Sequence, residues 1–257
     1  MSTNQLLESI NTKEIFSEID NQVLEIQIAR GDKMNALTDE MYGSLVAQLK
    51  YAEDNANIKV IFLRSDNKHF SAGNDLADFL KTEFNESSNV VQFLNTIASL
   101  SKPLVCAVGG AAVGIGTTML LHCDLTYASE DSKFSVPFIK LGLTPEGGSS
   151  KLLAQRCGTA KANDWLLTGR TFFAKEALDC GLINNVFEDT ETTWNNARKT
   201  AQDLAKNSFR VLVETKSLLK ADQIENVIDL MKKEAAIFAE CLKSEESKAA
   251  FKAFLGR

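Results

Sequence analysis

The chain has 257 residues, 44% hydrophobic and 24% charged, which suits one large α/β domain, or a domain with a small appendage, and a sizeable core. A formal net charge of -6, with no basic run longer than Lys232-Lys233, disfavours nucleic acid as a partner. Residues 1–13 lack the features of a signal peptide, and the apolar segments are too short or interrupted to cross a bilayer. We therefore expect a cytoplasmic protein without membrane contact.

The cysteines and histidines argue against a metal centre. Five cysteines are scattered without CxxC spacing, which predicts small buried side chains in a reducing compartment rather than zinc ligands or disulfides. With His69 and His122 as the only histidines, no metal site is expected, and a Ser-His-Asp triad has little support.

Strand and helix patterns alternate in the first part of the chain. Thr38 can cap a helix that runs to about Asn55, because apolar residues recur along one face after it. The first predicted strand alternates apolar and polar residues, so it is expected to be half-buried. The predicted strands are residues 23–29, 59–63, 103–108, 125–128 and 133–135.

Helical patterns dominate from about Gly158 onward. The predicted helices are residues 160–167, 174–180, 190–205, 208–219 and 223–241. A sheet-built core followed by an all-helical tail predicts two regions, residues 1–195 and residues 196–257.

The first segment that can carry chemistry is residues 70–76, Phe-Ser-Ala-Gly-Asn-Asp-Leu, between a strand and a helix. Gly73 permits a tight turn, and the N–H groups that follow it lie at a helix start, where they favour negative charge. The alternative is an ordinary turn in which Asn74 or Asp75 caps the helix.

The second segment is residues 109–118, Gly-Gly-Ala-Ala-Val-Gly-Ile-Gly-Thr-Thr. Its glycines let the backbone approach a ligand closely, but their spacing matches neither a Walker A loop nor the GxGxxG dinucleotide motif. A close helix–strand crossing is the alternative for this loop alone. Two such loops together favour an oxyanion site with two N–H donors.

The third segment is residues 141–150, Leu-Gly-Leu-Thr-Pro-Glu-Gly-Gly-Ser-Ser, which contains one carboxylate, Glu146. A glutamate in a loop is usually solvated. If Glu146 is instead held among the apolar residues around it, its pKa rises and it can act as a base.

Taken in this order, the three segments resemble the crotonase (enoyl-CoA hydratase/isomerase) family over nearly the whole chain. Further matching pieces are residues 33–37 (Lys-Met-Asn-Ala-Leu), 122–124 (His-Cys-Asp), 166–170 (Leu-Leu-Thr-Gly-Arg) and 176–182 (Glu-Ala-Leu-Asp-Cys-Gly-Leu). The resemblance implies an α/β fold of the crotonase type, a spiral of β-β-α repeats with a C-terminal helical subdomain. It also implies assembly into homotrimers or hexamers.

The resemblance implies a site for an acyl-CoA thioester, whose carbonyl oxygen gains negative charge during the reaction. The backbone N–H groups of Asn74 and Ile115 would stabilise that oxygen. The residues that the resemblance places at the substrate or CoA are Lys33, Asn35, Ala36, Ala72, Asn74, Leu76, Gly114 and Phe138. CoA is part of the substrate, so no separate cofactor is expected.

The acid/base positions distinguish the members of the family. A typical hydratase of this family uses two glutamates, at positions that hold Thr118 and Phe138 here. Residues 137–150 instead resemble the 3,2-enoyl-CoA isomerases, in which one glutamate at the Glu146 position does the chemistry, and residues 74–76 resemble their eukaryotic peroxisomal and mitochondrial branch. The implied activity converts a cis- or trans-3-enoyl-CoA to trans-2-enoyl-CoA in the β-oxidation of unsaturated fatty acids.

Two alternatives remain open. The chain could hydrate an enoyl-CoA or catalyse another crotonase reaction, or it could be a non-catalytic acyl-CoA-binding subunit. Residues 77–101 are expected to line an acyl tunnel, although the same apolar pattern suits a core helix. Asp75 is expected to cap a helix, and Asp124, His69 and His122 are expected to be structural.

Overall fold

The strands form a mixed α/β arrangement in the computed structural model, which describes residues 3–81, 84–221 and 224–256. In chain order the strands are β1 (Ile15–Asp20), β2 (Val23–Ile28), β3 (Val60–Ser65), β4 (Leu104–Val108), β5 (Ala111–Val113), β6 (Leu125–Ser129), β7 (Lys133–Ser135), β8 (Thr171–Phe173) and β9 (Asn185–Phe187). The predicted strands correspond to β2, β3, β4, β6 and β7, with small differences at their ends. Strands β1, β5, β8 and β9 were not predicted.

The helices surround the strands and dominate the second half of the chain. They are α1 (Thr3–Ile10), α2 (Asp39–Asp54), α3 (Leu76–Phe79), α4 (Asn89–Ala98), α5 (Ile115–Thr118), α6 (Ser149–Cys157), α7 (Thr159–Thr168), α8 (Ala174–Asp179), α9 (Thr190–Ala205), α10 (Phe209–Lys220), α11 (Ile224–Lys243) and α12 (Glu245–Leu255). The predicted helices correspond to α2, α7, α8, α9, α10 and α11, while Gln223, the predicted start of the last, lies outside the described residues. None of the helices in the described part of the chain is long and apolar enough to cross a bilayer.

Two sheets organise the described strands. The larger has the order β1-β2-β3-β4-β6-β9; β1 is antiparallel to β2, and the other neighbours are parallel. The smaller has the order β5-β7-β8, with β7 and β8 antiparallel. Strands joined through helices in a largely parallel sheet confirm the predicted α/β class.

Strand β2 is buried along most of its length, so the prediction of a half-buried strand was wrong. Its polar residue Glu25 is 5% exposed and accepts hydrogen bonds from Arg64 and from Arg198 on α9. The polar residue Glu25 interrupts the apolar sequence of β2 because it belongs to a buried ion-pair cluster. Helix α9 covers the face of the strand that was expected to meet solvent. The small side chains Ala197 and Ala201 let this helix pack closely on the sheet. The predicted region boundary near residue 195 therefore falls inside a helix that belongs to the core packing.

Helix α2 begins where the sequence predicts. The Thr38 side chain accepts a hydrogen bond from the N–H of Met41, which satisfies one of the N–H groups that a helix start leaves without a partner. Met41, Leu45 and Leu49 are buried in the main hydrophobic core, together with apolar residues of α4. This packing fixes α2 beside the site described below.

An ion pair attaches α10 to the start of β4. Asp124 Oδ2 accepts from the N–H of Leu104 and from Nζ of Lys216, both at 2.7 Å, and the same Nζ donates to the carbonyl of Lys102 at 2.6 Å. Lys216 is 6% exposed. Asp124 is therefore structural, as expected from the sequence.

We expect Asp124→Ala to lower the free energy of unfolding by about 3 kcal/mol, because it leaves the buried Lys216 ammonium without its counter-ion. Urea unfolding followed by circular dichroism would measure the change. Asp203→Ala is the matched control, since Asp203 pairs with Lys206 in an exposed i,i+3 contact and its loss should leave no measurable change. Equal losses in the two variants would contradict the prediction.

Candidate active site

The two glycine-rich segments run side by side. The N–H of Ser71 donates to the carbonyl of Ala111 at 3.0 Å, and the N–H of Val113 donates to the carbonyl of Ser71 at 2.9 Å. These bonds make a short parallel bridge that brings the turn at Gly73 next to the start of α5.

Glycine is required where the two segments meet. Gly73 has φ +91°, and a Cβ there would lie 2.8 Å from the carbonyl oxygen of Val113. At Gly116 a Cβ would lie 2.8 Å from the carbonyl oxygen of Ser71. No hydrogen bond from the backbone N–H of Asn74 or Ile115 is found among the described residues. An oxyanion site needs two N–H donors without another acceptor, and these two N–H groups lie on segments that the bridge holds together.

Two adjoining cavities lie at these segments. The outer cavity measures about 630 Å³ and the inner cavity about 360 Å³. Asn74, Phe79 and Phe238 line both, so the cavities meet at these side chains. The sequence-predicted site residues that line the outer cavity are Lys33, Ala36, Ala72, Asn74, Leu76, Gly114, Ile115 and Phe138.

Asn35 does not line either cavity. Its side chain is fully buried, accepts from the N–H of Arg30 and donates to the carbonyl of His69, both at 2.7 Å. Its φ of +57° follows the φ of +52° at Met34, and asparagine tolerates this left-handed conformation. Asn35 therefore stabilises the loop beside the outer cavity. Its buried side chain is bonded to the backbone and is not accessible to a ligand.

Glu146 lines the inner cavity and is 8% exposed, so it is not the solvated loop residue that its sequence context allowed. The Thr118 hydroxyl donates to Oε1, whereas the buried Oε2 has no hydrogen-bond partner in the described part of the chain. Burial raises the pKa of Glu146 to about 8; the negative charge of Glu234 adds to this effect and the Thr118 hydrogen bond opposes it. A carboxyl group with this pKa can both accept and return a proton near neutral pH.

Tyr42, on α2, orients one residue of the site and was missed by the sequence analysis. Its hydroxyl donates to Oδ1 of Asn74 at 2.5 Å. Burial and the charge of Glu146 hold the pKa of Tyr42 well above its usual value, so this hydroxyl stays a neutral donor. In the sequence, Tyr42 looks like one more apolar position on an amphipathic helix.

The peptide between Gly147 and Gly148 is held at both ends. His122 Nε2 lies 2.8 Å from the carbonyl oxygen of Gly147, and the N–H of Gly148 donates to Oε2 of Glu234 at 2.6 Å. Burial lowers the pKa of His122 to about 4, so the ring is neutral and donates through Nε2. His122 is structural, as predicted, while Glu234 was missed because it lies far along the chain on α11.

Part of the predicted acyl-tunnel segment lines the inner cavity. Phe79, Phe84, Val91 and Leu94 do so, and α11 closes the opposite side. Other residues of the segment do not: Phe93 is in the core beside Tyr42, and Leu80 is exposed. Residues 82 and 83 of this segment lie outside the described residues. Within the described ranges, no cluster of three or more His, Cys, Asp or Glu residues is arranged to hold a metal ion.

We expect Glu146→Gln to stabilise the protein increasingly as the pH rises. Between about pH 4.5 and about pH 8 the unfolded wild type has released the Glu146 proton while the folded protein retains it, so its free energy of unfolding falls with pH. A glutamine has no such dependence, and the variant should gain about 2–5 kcal/mol relative to wild type across this window. Urea unfolding of both proteins at several pH values would test this. A difference that stays constant with pH would contradict it.

Comparison with known proteins identifies the family that shares these features. The sequence profile described as "Enoyl-CoA hydratase/isomerase" matches residues 18–257. The chain is 30% identical over 240 residues to a probable enoyl-CoA hydratase of Bacillus subtilis (strain 168), covering 91% of this chain and 93% of that protein. It is 32% identical over 255 residues to enoyl-CoA delta isomerase 2 of Rattus norvegicus, covering 96% of this chain and 64% of that protein.

Solved structures share the fold. The crystal structure of an enoyl-CoA hydratase/isomerase from Pseudoalteromonas atlantica T6c matches with a TM-score of 0.91 at 38% identity, covering 95% of this chain and 97% of that one. This match confirms the predicted crotonase-type fold. Hydratase and isomerase relatives are similarly close in sequence, so the comparisons identify the family and its acyl-CoA chemistry but not one reaction. The chain belongs to the enoyl-CoA hydratase/isomerase family, the crotonase family, and is an enzyme of that family.

Proposed function

We propose that this enzyme is a 3,2-enoyl-CoA isomerase, which moves the double bond of a cis- or trans-3-enoyl-CoA into conjugation with the thioester carbonyl. The observation that supports this proposal is the single buried carboxylate at the inner cavity. Two other acidic residues line the described parts of the two cavities. Glu86 is exposed, and Asp75 caps α3 and pairs with Arg30. Only Glu146 combines burial with an unpartnered oxygen.

The reaction needs one base and an oxyanion site. The thioester oxygen would accept hydrogen bonds from the N–H groups of Asn74 and Ile115, which stabilise the negative charge that develops there. Ionised Glu146 would remove a proton from C2, giving a dienolate whose charge is delocalised to the oxygen. The resulting carboxylic acid would return the proton to C4, leaving the double bond between C2 and C3 and the enzyme unchanged. A pKa of about 8 suits both steps, because the acid form is then a donor of moderate strength.

Hydration is disfavoured by the two residues at the positions where, by the family resemblance, a typical hydratase has its glutamates. Water must be oriented toward C3, and this is easier with two polar groups. The Thr118 hydroxyl is committed to Glu146, and Phe138 presents a buried aromatic ring. Phe138 lines the outer cavity rather than the inner cavity that holds Glu146, so its ring would limit the entry of water from the outer side.

The outer cavity is the proposed site for the CoA moiety. Lys33 lines it, as the family resemblance implies, and Lys140 lines it as well, so two ammonium groups are available to phosphates. Ala72 and Leu76 offer apolar contact to the adenine. CoA would enter as part of the substrate, with no separate cofactor. Assembly into homotrimers or hexamers and a cytoplasmic location stay predictions.

A paired assay of the purified protein tests the proposal. With a 3-enoyl-CoA we expect a rise in the absorbance of the conjugated enoyl thioester; with a trans-2-enoyl-CoA we expect no loss of it. Glu146→Gln should abolish the rise while the circular dichroism spectrum stays that of the wild type, because the amide cannot accept the C2 proton.

Glu130→Gln is the matched control, since Glu130 is an exposed turn residue, and it should keep wild-type turnover. Retained isomerase activity in Glu146→Gln would overturn the assignment of the base. Loss of trans-2-enoyl-CoA would favour the hydratase alternative, and acyl-CoA binding without turnover would favour a non-catalytic subunit.

We expect Gly73→Ala to lower kcat by about 100-fold or more, because the new Cβ meets the Val113 carbonyl and displaces the N–H of Asn74. Steady-state kinetics on the 3-enoyl-CoA would measure the loss. Gly158→Ala is the control: Gly158 also has positive φ, +79°, but no atom lies within 4 Å of its Cβ position. Similar losses of kcat in both variants would show that backbone strain, rather than displacement of the donor, explains the effect.

A further inference from the structure

We propose that Glu234 is a positioning residue for the Glu146 carboxylate, acting from α11 through the Gly147–Gly148 peptide. This inference rests on the proposed function, because it takes Glu146 to be the base. Glu234 does not line either cavity and would not touch the substrate.

Glu234 accepts three hydrogen bonds from the loop that follows Glu146 and from the first turn of α6. Its Oε2 accepts from the N–H of Gly148 at 2.6 Å, and its Oε1 accepts from the N–H of Ser150 at 3.1 Å and from the Ser150 hydroxyl at 2.5 Å. The side chain is 6% exposed. Both carboxylate oxygens accept from N–H donors, which is the pattern that an ionised carboxylate satisfies.

The loop needs an acceptor from outside its own segment. Gly147 and Gly148 have φ of +66° and +74°, and α6 begins directly after them. Gly148, as the N-cap residue, has no side chain to accept from the first N–H groups of α6. Glu234 takes this capping role, and a negative charge is favourable at a helix start.

The same peptide is fixed from its other end. Neutral His122 donates to the carbonyl of Gly147 while Glu234 accepts from the N–H of Gly148, so the peptide plane next to Glu146 cannot rotate without breaking one of these bonds. Within the described part of the chain, Thr118 is the one hydrogen-bond partner of the Glu146 carboxylate, and the Glu146 carbonyl accepts from the N–H and hydroxyl of Ser149 at the start of α6. The position of the Glu146 carboxylate over the inner cavity therefore depends on the orientation of this peptide.

Glu234 also acts on Glu146 by charge. No cationic side chain pairs with Glu234 among the described residues. Burial raises the pKa of Glu234, and the hydrogen bonds from Ser150 and from the N–H of Gly148 oppose this by favouring its charged form. The groups that face Glu146 are the Thr118 hydroxyl, the neutral Tyr42 hydroxyl and Glu234; the nearby His122 ring is neutral. The negative charge of Glu234 contributes to the raised pKa of Glu146, so its removal should let Glu146 ionise at lower pH.

Three variants separate position from charge. Glu234→Gln removes the charge and keeps the side-chain length, and Glu234→Asp keeps the charge but shortens the reach. Glu240→Gln is the control, because Glu240 is an exposed residue of the same helix. The readouts are the pH dependence of kcat/KM on a 3-enoyl-CoA and the pH titration of the Glu146 carboxyl by infrared difference against the matching Glu146→Gln protein.

In Glu234→Gln we expect the rising limb of the pH–rate profile to move to lower pH by about one unit. We expect Glu234→Asp to lower kcat by about tenfold with little change in KM and no movement of that limb. Glu240→Gln should match wild type in both readouts. An unmoved limb in Glu234→Gln together with wild-type kcat in Glu234→Asp would overturn the proposal.

The infrared titration keeps this test independent of the reaction assigned to the enzyme. If no isomerase activity is found, a lower pKa of Glu146 in Glu234→Gln still supports the link between the two carboxylates, and an unchanged pKa overturns it. If Glu234→Gln does not fold, Glu234→Asp decides the question, and wild-type kcat in that variant overturns the proposal. Where turnover is absent, the infrared frequency of the protonated Glu146 C=O band is the readout of position. A shifted band supports the proposal and a wild-type band overturns it.

Discussion

The burial of the Glu146 carboxylate is the constraint on which the rest of the site depends. Removing this group from water disfavours its charged form and holds its pKa at about 8. One oxygen is bonded to Thr118 while the other has no partner among the described residues, so part of the desolvation cost stays uncompensated in the folded protein. Such a group persists only if the surrounding structure over-determines its position. The hydrogen bonds from His122 and to Glu234 fix the backbone beside it, and they lie on opposite sides of one peptide.

The fold supplies this rigidity by bringing together segments that are distant in the chain. The bridge between Ser71 and Ala112 joins two loops that follow neighbouring strands, and the glycines there permit backbone contacts that no other residue allows. Packing of α2 puts Tyr42 within reach of Asn74, and the Asp124–Lys216 pair attaches α10 to the sheet. These hydrogen bonds and ion pairs hold the unpaired N–H groups and the buried acid in place. Proteins commonly retain such unfavourable groups at functional sites and compensate for them elsewhere.

The sequence alone located much of this site but not how it is held. Local rules marked the glycine loops and Glu146 as candidates, because tight turns and a lone acid among apolar residues leave a signature within ten residues. The loop context of Glu146 alone favoured a solvated side chain, and its assignment as the base came from the family resemblance. Glu234 has no such signature: in its own segment it is one acidic residue of a charged helix. The short strands β5 and β8 were missed because three residues carry too little periodicity and their pairing partners are distant. Strand β2 was misjudged because a buried Glu25, paired with two arginines, looks like a solvent-facing position. Each of these errors concerns a long-range partner.

The C-terminal helices form walls of the cavities, and this has a consequence for how the protein responds to ligands. Phe238 of α11 lines both cavities, and Phe251 of α12 lines the outer one. A ligand in these cavities would contact both the first half of the chain and the C-terminal helices, so its full set of contacts requires α11 and α12 to be folded against the core. By mass action, occupancy then shifts the local unfolding equilibrium of α11 and α12 toward the folded form, more strongly as ligand concentration exceeds its dissociation constant. If the substrate binds in these cavities as proposed, α11 and α12 should be better protected from local unfolding when it is abundant.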